Sequence, residues 1–179
     1  RLLSNIGITT FKELVIITGQ KLKSEHWNEI CKEAQQLVDR MNLSELVPPD
    51  DQPQKIKLHP TLLQTKISAC LQLIQVVRDV ILTQYNLMQT NHVEQLLVAL
   101  DSSYTCARLV NESQFINDIK PETQQKHKSI PINDLIIQEI DAMVAYLNIV
   151  FKMFADTQML DRRDVAEALI TTFVFIFSG

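Results

Sequence analysis

Glycine is nearly missing from this chain, with three in 179 residues. A phosphate cradle of the G-x-x-x-x-G-K-[ST] or G-x-G-x-x-G type needs more, and neither pattern occurs. Proline is scarce too: of six, four fall between Pro48 and Pro60, so most of the chain is left without helix breakers. Cysteine is limited to Cys31, Cys70 and Cys106, far apart and with no C-x-x-C pair. An odd count suits a reduced, cytosolic compartment better than a disulfide framework. Positive charge is not in excess either; a net charge of −4 and a pI near 5.5 argue against a nucleic-acid-binding face. His26, His59, His92 and His127 sit in separate segments without H-x-x-x-H or H-E-x-x-H spacing, so no metal site is expected and no cofactor is implied.

What is present is apolar and periodic. Hydrophobic residues make up 46% and charged residues 21%, which is the composition of a folded chain rather than a disordered one. A chain of this length buries roughly two-thirds of its unfolded surface. Arg1 opens "RLLSNIGITTF" with no secretory signal pattern, and the start reads as internal to a larger protein. Near the other end, "ITTFVFIF" is far shorter than the roughly 18 apolar residues of a membrane span and reads as core.

Six helical segments are predicted. The first covers Thr9 to Thr18, with Gly19 as its stop. The second begins at Ser24 as N-cap and buries Trp27, Ile30, Ala34, Leu37 and Met41 at spacings of three and four. The third, Thr61 to Tyr85, contains "KISACLQLIQVVRDVIL" and is apolar on more than one side, so it needs neighbours on more than one side. The fourth covers Asn91 to Asn111 with Thr90 as a cap. The fifth starts near Asn133 or Asp134 and presents Ile136, Ile140, Met143, Leu147, Val150 and Phe154. After "DTQMLD" a sixth runs from about Leu160 to Phe177, with Asp161 and Asp164 near its positive end.

This pattern predicts an all-α fold of antiparallel helical hairpins stacked as a HEAT/armadillo-like α-solenoid, although no clean repeat of 40 to 47 residues is visible. Residues 1–47 form one hairpin, 48–60 a flexible connector, and 61–179 the next set of repeats. The core is expected to centre on Trp27, Ile30, Ile67, Ile74, Leu97, Leu100, Ile140 and Leu147. Few residues suggest chemistry. Cys106 beside Arg108 has the neighbour of an activated thiol, but reads as a small buried hydrophobe at a helix interface. Arg78 and Asp79 read as a polar flank or a pair with a neighbouring helix. Asp50 and Asp51 read as solvated loop charge, and the basic "KHK" at Lys126 to Lys128 is too weak to hold a membrane unaided.

Four stretches in order carry a resemblance. They are "FKELVIITGQKLKSEHWNEIC", "KISACLQLIQVVRDVIL", "LLVALDSSYTCARLVNE" and "DLIIQEIDAMVAYLNIVFKMF". The first has a leucine-rich helix, Gly19, then Trp27, Ile30 and Cys31. The second carries Lys66, Leu71, Leu73, Ile74 and Gln75, the third Leu96, Leu97, Leu100, Ser103, Ala107 and Asn111. The fourth carries Gln138, Glu139, Leu147, Ile149, Phe151 and Met153. Together they resemble the C-terminal region of the large Arf guanine-nucleotide exchange factors of the brefeldin-A-inhibited (BIG) family of the trans-Golgi. Pro48 to Gln54 and the loop after Lys120 keep little of that pattern.

The resemblance implies a segment of the homology-downstream-of-catalytic-domain (HDS) type, with no catalytic residue of its own. It implies a regulatory role in Golgi vesicle transport, through autoregulation, dimerisation or recruitment. The implied partners are activated small GTPases of Arf or Rab type, the exchange domain of the same parent chain, and a second copy as a homodimer. The implied location is cytosolic and peripheral on Golgi and trans-Golgi network membranes, without nucleic acid. The alternatives are a HEAT-like protein-binding scaffold of an unrelated or non-catalytic trafficking protein, and a small helical enzyme working through Cys106.

Overall fold

The computed structural model describes residues 2–41, 43, 60–112, 132–160, 167 and 170–171. Among them there is no strand. Five α-helices follow in order: α1 Leu2–Thr18, α2 Ser24–Met41, α3 Pro60–Gln84, α4 Thr90–Glu112 and α5 Ile132–Leu160. A turn of 3-10 helix, Gly19–Lys21, joins α1 to α2, and another, Tyr85–Leu87, joins α3 to α4. The expected connector lies outside the described residues except for Pro60, which opens α3 where a missing N–H costs nothing. The polar loop with "KHK" and most of the expected sixth helix also lie outside them.

Two boundaries differ from the sequence reading. α1 begins at Leu2, not Thr9, because its only weak point, Gly7, costs about 1 kcal/mol and nothing else in "LLSNIGI" breaks a helix. α5 runs through "DTQML" to Leu160, since Asp156 and Thr157 are poor helix formers but not breakers.

The first two hairpins are built alike. Leu22 and Met88 are both extended, and their N–H groups donate to the carbonyls of Gly19 and Tyr85, each at 3.2 Å. The Lys23 carbonyl accepts from the N–H groups of His26 and Trp27, as the Gln89 carbonyl does from His92 and Val93. Lys23 and Gln89 are therefore the residues that cap α2 and α4, one position before the expected Ser24 and Thr90. Instead of capping its own helix, the Ser24 hydroxyl donates to Gln89 Oε1 at 3.1 Å.

The second hairpin lies on the first in parallel. Along α2 and its end, Ser24, Asn28, Gln35 and Leu43 bond to Gln89, His92, Ser102 and Cys106. Partner numbers climb together, so α2 and α4 point the same way. α1 and α3 do likewise: Lys12 pairs with Asp79 at 3.2 Å, and Gln84 Nε2 donates to the Ile16 carbonyl at 3.4 Å. α5 runs antiparallel to α4: Glu139, early in α5, accepts from Asn111 at the end of α4, whereas Asp156, late in α5, meets Tyr85 just before α4 begins. The Tyr85 hydroxyl donates to Asp156, which sets the C-terminal ends of α3 and α5 side by side.

α3 contacts α1, α2, α4 and α5. By length and composition Gln64–Leu87 is apolar enough to cross a bilayer, yet more than half of it is buried inside the protein, as suits a core helix. One core cluster draws on all five helices, with Val15, Trp27, Ile74, Leu97 and Ile149 among its members. Trp27, Ile67, Ile74, Leu97 and Leu100 are buried; Ile30 and Leu147 are half-buried. Ile140 is not a core residue, being 54% exposed. The buried face of α5 is instead Leu135, Gln138, Ala142, Ala145, Tyr146, Ile149 and Met153. Two alanines and a glutamine carry little hydropathy, so the bulkier residues on the opposite side drew the stripe to the wrong face. Leu43, two residues past the end of α2, is fully buried, and its N–H donates to Cys106 Sγ at 2.9 Å.

Candidate functional site

The groups that suggested chemistry are engaged in structure. Cys31, Cys70 and Cys106 are buried thiols that form no disulfide. Burial pushes the thiols of Cys31 and Cys70 up to about 12, which leaves almost no thiolate at neutral pH. Arg78 is bonded to Asp79 at 2.9 Å, and Asp79 reaches Lys12 of α1, so this pair ties two helices together. Trp27 is buried with its indole N–H unpaired among the described residues. Asp50 and Asp51 lie outside the described residues. No group of three metal-ligating side chains comes together among the described residues.

Two polar positions inside the stack were not read from the sequence. His92 is fully buried where α4 meets α2. Its Nδ1 accepts from the Gln89 N–H at 3.2 Å, so its proton sits on Nε2, 2.9 Å from Asn28 Oδ1. Its backbone carbonyl accepts from the Cys31 thiol at 3.5 Å. Burial lowers the His92 pKa below its ordinary 6.5, and the neutral ring is the form that fits both bonds. The second position is Gln138, fully buried between α5 and α4, whose Nε2 donates to the Ser103 carbonyl at 3.3 Å.

The surface feature of most interest is on α5. Opposite the face that meets α3 and α4, the exposed side chains Ile136, Ile137, Ile140, Val144 and Phe151 fall within one narrow arc, Phe151 being 69% exposed. At 1.5 Å per residue this apolar strip runs about 22 Å. Glu139 borders it on one side, bonded to Asn111, and Asp141 and Lys152 on the other, Lys152 pairing with Asp156 at 3.6 Å. Scattered apolar residues are ordinary on a surface; a continuous strip with charged borders is the shape that takes another helix.

Two hairpins laid parallel on one another, with α5 alongside and buried polar positions between them, define an all-α fold among the described residues. The family model of the BIG2 C-terminal domain matches residues 68–179, which is more than half of the chain, and the chain belongs to that family. It covers α4, α5 and most of α3. No curated protein and no solved structure matches the chain.

Proposed function

We propose that this chain is a non-catalytic regulatory and scaffold segment of a large Arf guanine-nucleotide exchange factor acting in Golgi vesicle traffic. The observation that carries the reading is the match of the BIG2 C-terminal domain over residues 68–179. The parallel stacking of α1 on α3 and of α2 on α4 supports a HEAT-like solenoid, in which each hairpin contacts mainly its neighbours. Such a rod serves as a spacer and as a surface. Its proposed partners are activated small GTPases of Arf or Rab type and the exchange domain of its own parent chain, with homodimer formation as a further role. Its proposed location is the cytosolic face of the trans-Golgi network, bound peripherally.

Liposome flotation with lipid-anchored Arf and Rab-type GTPases tests this reading, each loaded with GDP or a GTP analogue. Recruitment by one GTP form is the expected result. Flotation with none of them, and no effect of the chain on exchange by the parent's catalytic domain, would leave an interaction scaffold without a role in exchange.

A further inference from the structure

Ile136, Ile140, Val144 and Phe151 recur at spacings of four, four and seven, so the apolar strip of α5 follows one line along the helix. With Ile137 beside them, these side chains are from 44% to 69% exposed and together leave on the order of 400 Å² of apolar surface in water. A patch of that size is often a contact surface. The charges at its border say what it meets. Asp134 and Lys152 stand about five whole helical turns apart, so they share one edge of the strip and lie about 27 Å from each other at its two ends. The midpoint of the strip, between Met143 and Val144, falls within one residue of the midpoint of this pair. Strip and charges are therefore centred on the same place.

Such an arrangement is complementary to itself. A two-fold axis through the midpoint turns a second copy end for end and sends each edge of the strip to the same edge of its partner. Ile136 then meets Phe151 of the second copy, Ile140 meets Leu147, and Lys152 comes level with Asp134, once at each end. Asp141, on the same edge, falls about 7.5 Å along the axis from its counterpart, so like charges are not set opposite each other. In the single chain Lys152 reaches Asp156 at 3.6 Å, a pairing of solvent-facing side chains that contributes little and is readily exchanged. Lipid is a poorer match. A helix lying on a membrane carries lysines and arginines along its polar borders, whereas this strip is bordered by Asp134, Glu139 and Asp141 and by the single base Lys152.

We propose that α5 is a homodimer interface: two copies pack their α5 strips antiparallel about a two-fold axis between Met143 and Val144, with Lys152 of each copy reaching Asp134 of the other. The two strips and their borders together bury about 1,000 Å², at the low end of specific interfaces, so the dimer is a weak one that comes apart on dilution. This inference rests on the homodimer role proposed above, to which it gives a surface and a register, and not on the exchange-factor role.

Sedimentation equilibrium of the 179-residue chain over a range of concentrations tests it. The expected result is a mass rising from 20.5 kDa toward twice that value, with Ile140→Asp held at the lower mass and its helical circular dichroism unchanged. Asp134→Lys and Lys152→Asp should each weaken association on the order of tenfold, and an equal mixture of the two variants should restore it, since opposite charges then face each other at both ends. Direction is read by crosslinking: Ile136→Cys should join to Phe151→Cys and not to another copy of itself. Continued dimerisation of Ile140→Asp, a mixture no better than its components, or joining of Ile136→Cys to itself would overturn this interface and leave the homodimer role standing. A chain that stays monomeric at every concentration would remove both. Monomers that bind vesicles of phosphatidylcholine and phosphatidylserine, and lose that binding in Ile140→Asp, would overturn it in favour of a lipid contact.

Discussion

His26 and His92 do the same work at the heads of two stacked helices. The Nδ1 of His26 accepts the Lys23 N–H at 3.1 Å, and that of His92 accepts the Gln89 N–H at 3.2 Å. Their surroundings differ: His26 is exposed, whereas His92 is sealed between α2 and α4 and spends its other nitrogen on Asn28.

Acid should therefore loosen the stack through His92. Its folded-state pKa is lowered below 6.5, so under more acidic conditions the unfolded chain binds the extra proton and the folded chain resists it. Stability is fully present above 6.5 and is lost as pH falls below that value. Urea midpoints measured between about pH 7.5 and 5.5 should fall for the parent chain and fall less for His92→Gln. Equal slopes in the two proteins would show that another group sets the pH dependence.

Gly19 is fixed by a close approach. A Cβ there would overlap Gln84 Oε1, and Gln84 is buried and bonded to the Ile16 carbonyl. Gly19→Ala should cost about 1–2 kcal/mol by displacing that side chain. Adding Gln84→Ala should recover part of the loss; a double-mutant cycle with no coupling would contradict the contact.

The two faces of the core helices should answer oppositely to charge. Ile74→Asp places a lone carboxylate in the centre of the cluster and should cost more than about 4 kcal/mol, enough to unfold the chain. Ile140→Asp, on the open strip, should change stability by only about 0.5 kcal/mol. Similar melting temperatures for the two variants would sink the assignment of faces.

Thiol chemistry should be silent in the folded chain. With Cys31 and Cys70 pushed up to about 12 and Cys106 buried as well, iodoacetamide near neutral pH should label none of the three until urea unfolds the protein. Rapid labelling of Cys106 in the native state would revive a catalytic reading for it.

These features were unevenly legible in the sequence. α2, α3 and α4 show themselves because Trp27, Ile74, Leu97 and Leu100 recur at helical spacing between obvious breaks. The buried face of α5 does not, because Ala142, Ala145 and Gln138 allow close approach of α4 without raising hydropathy. The repeat is hidden for a related reason. Its equivalent core positions pair Trp27 with Val93, Cys31 with Leu97 and Ala34 with Leu100, which share burial but not size. The sequence offered one signal, a histidine three places after each cap. Weighed only as metal ligands, His26 and His92 did not disclose it.

The parallel seating of α2 on α4 has a consequence for how the molecule comes together. Among the described residues, the bonds in that seam join positions more than 60 apart, from Ser24 with Gln89 to Leu43 with Cys106. Registration is thus written in the helices themselves, and the entropic cost of any tether between the two hairpins grows only with the logarithm of its length. Doubling that tether would cost only about 0.6 kcal/mol. A nick within it would turn one folding reaction into the meeting of two halves that still recognise each other by side-chain register.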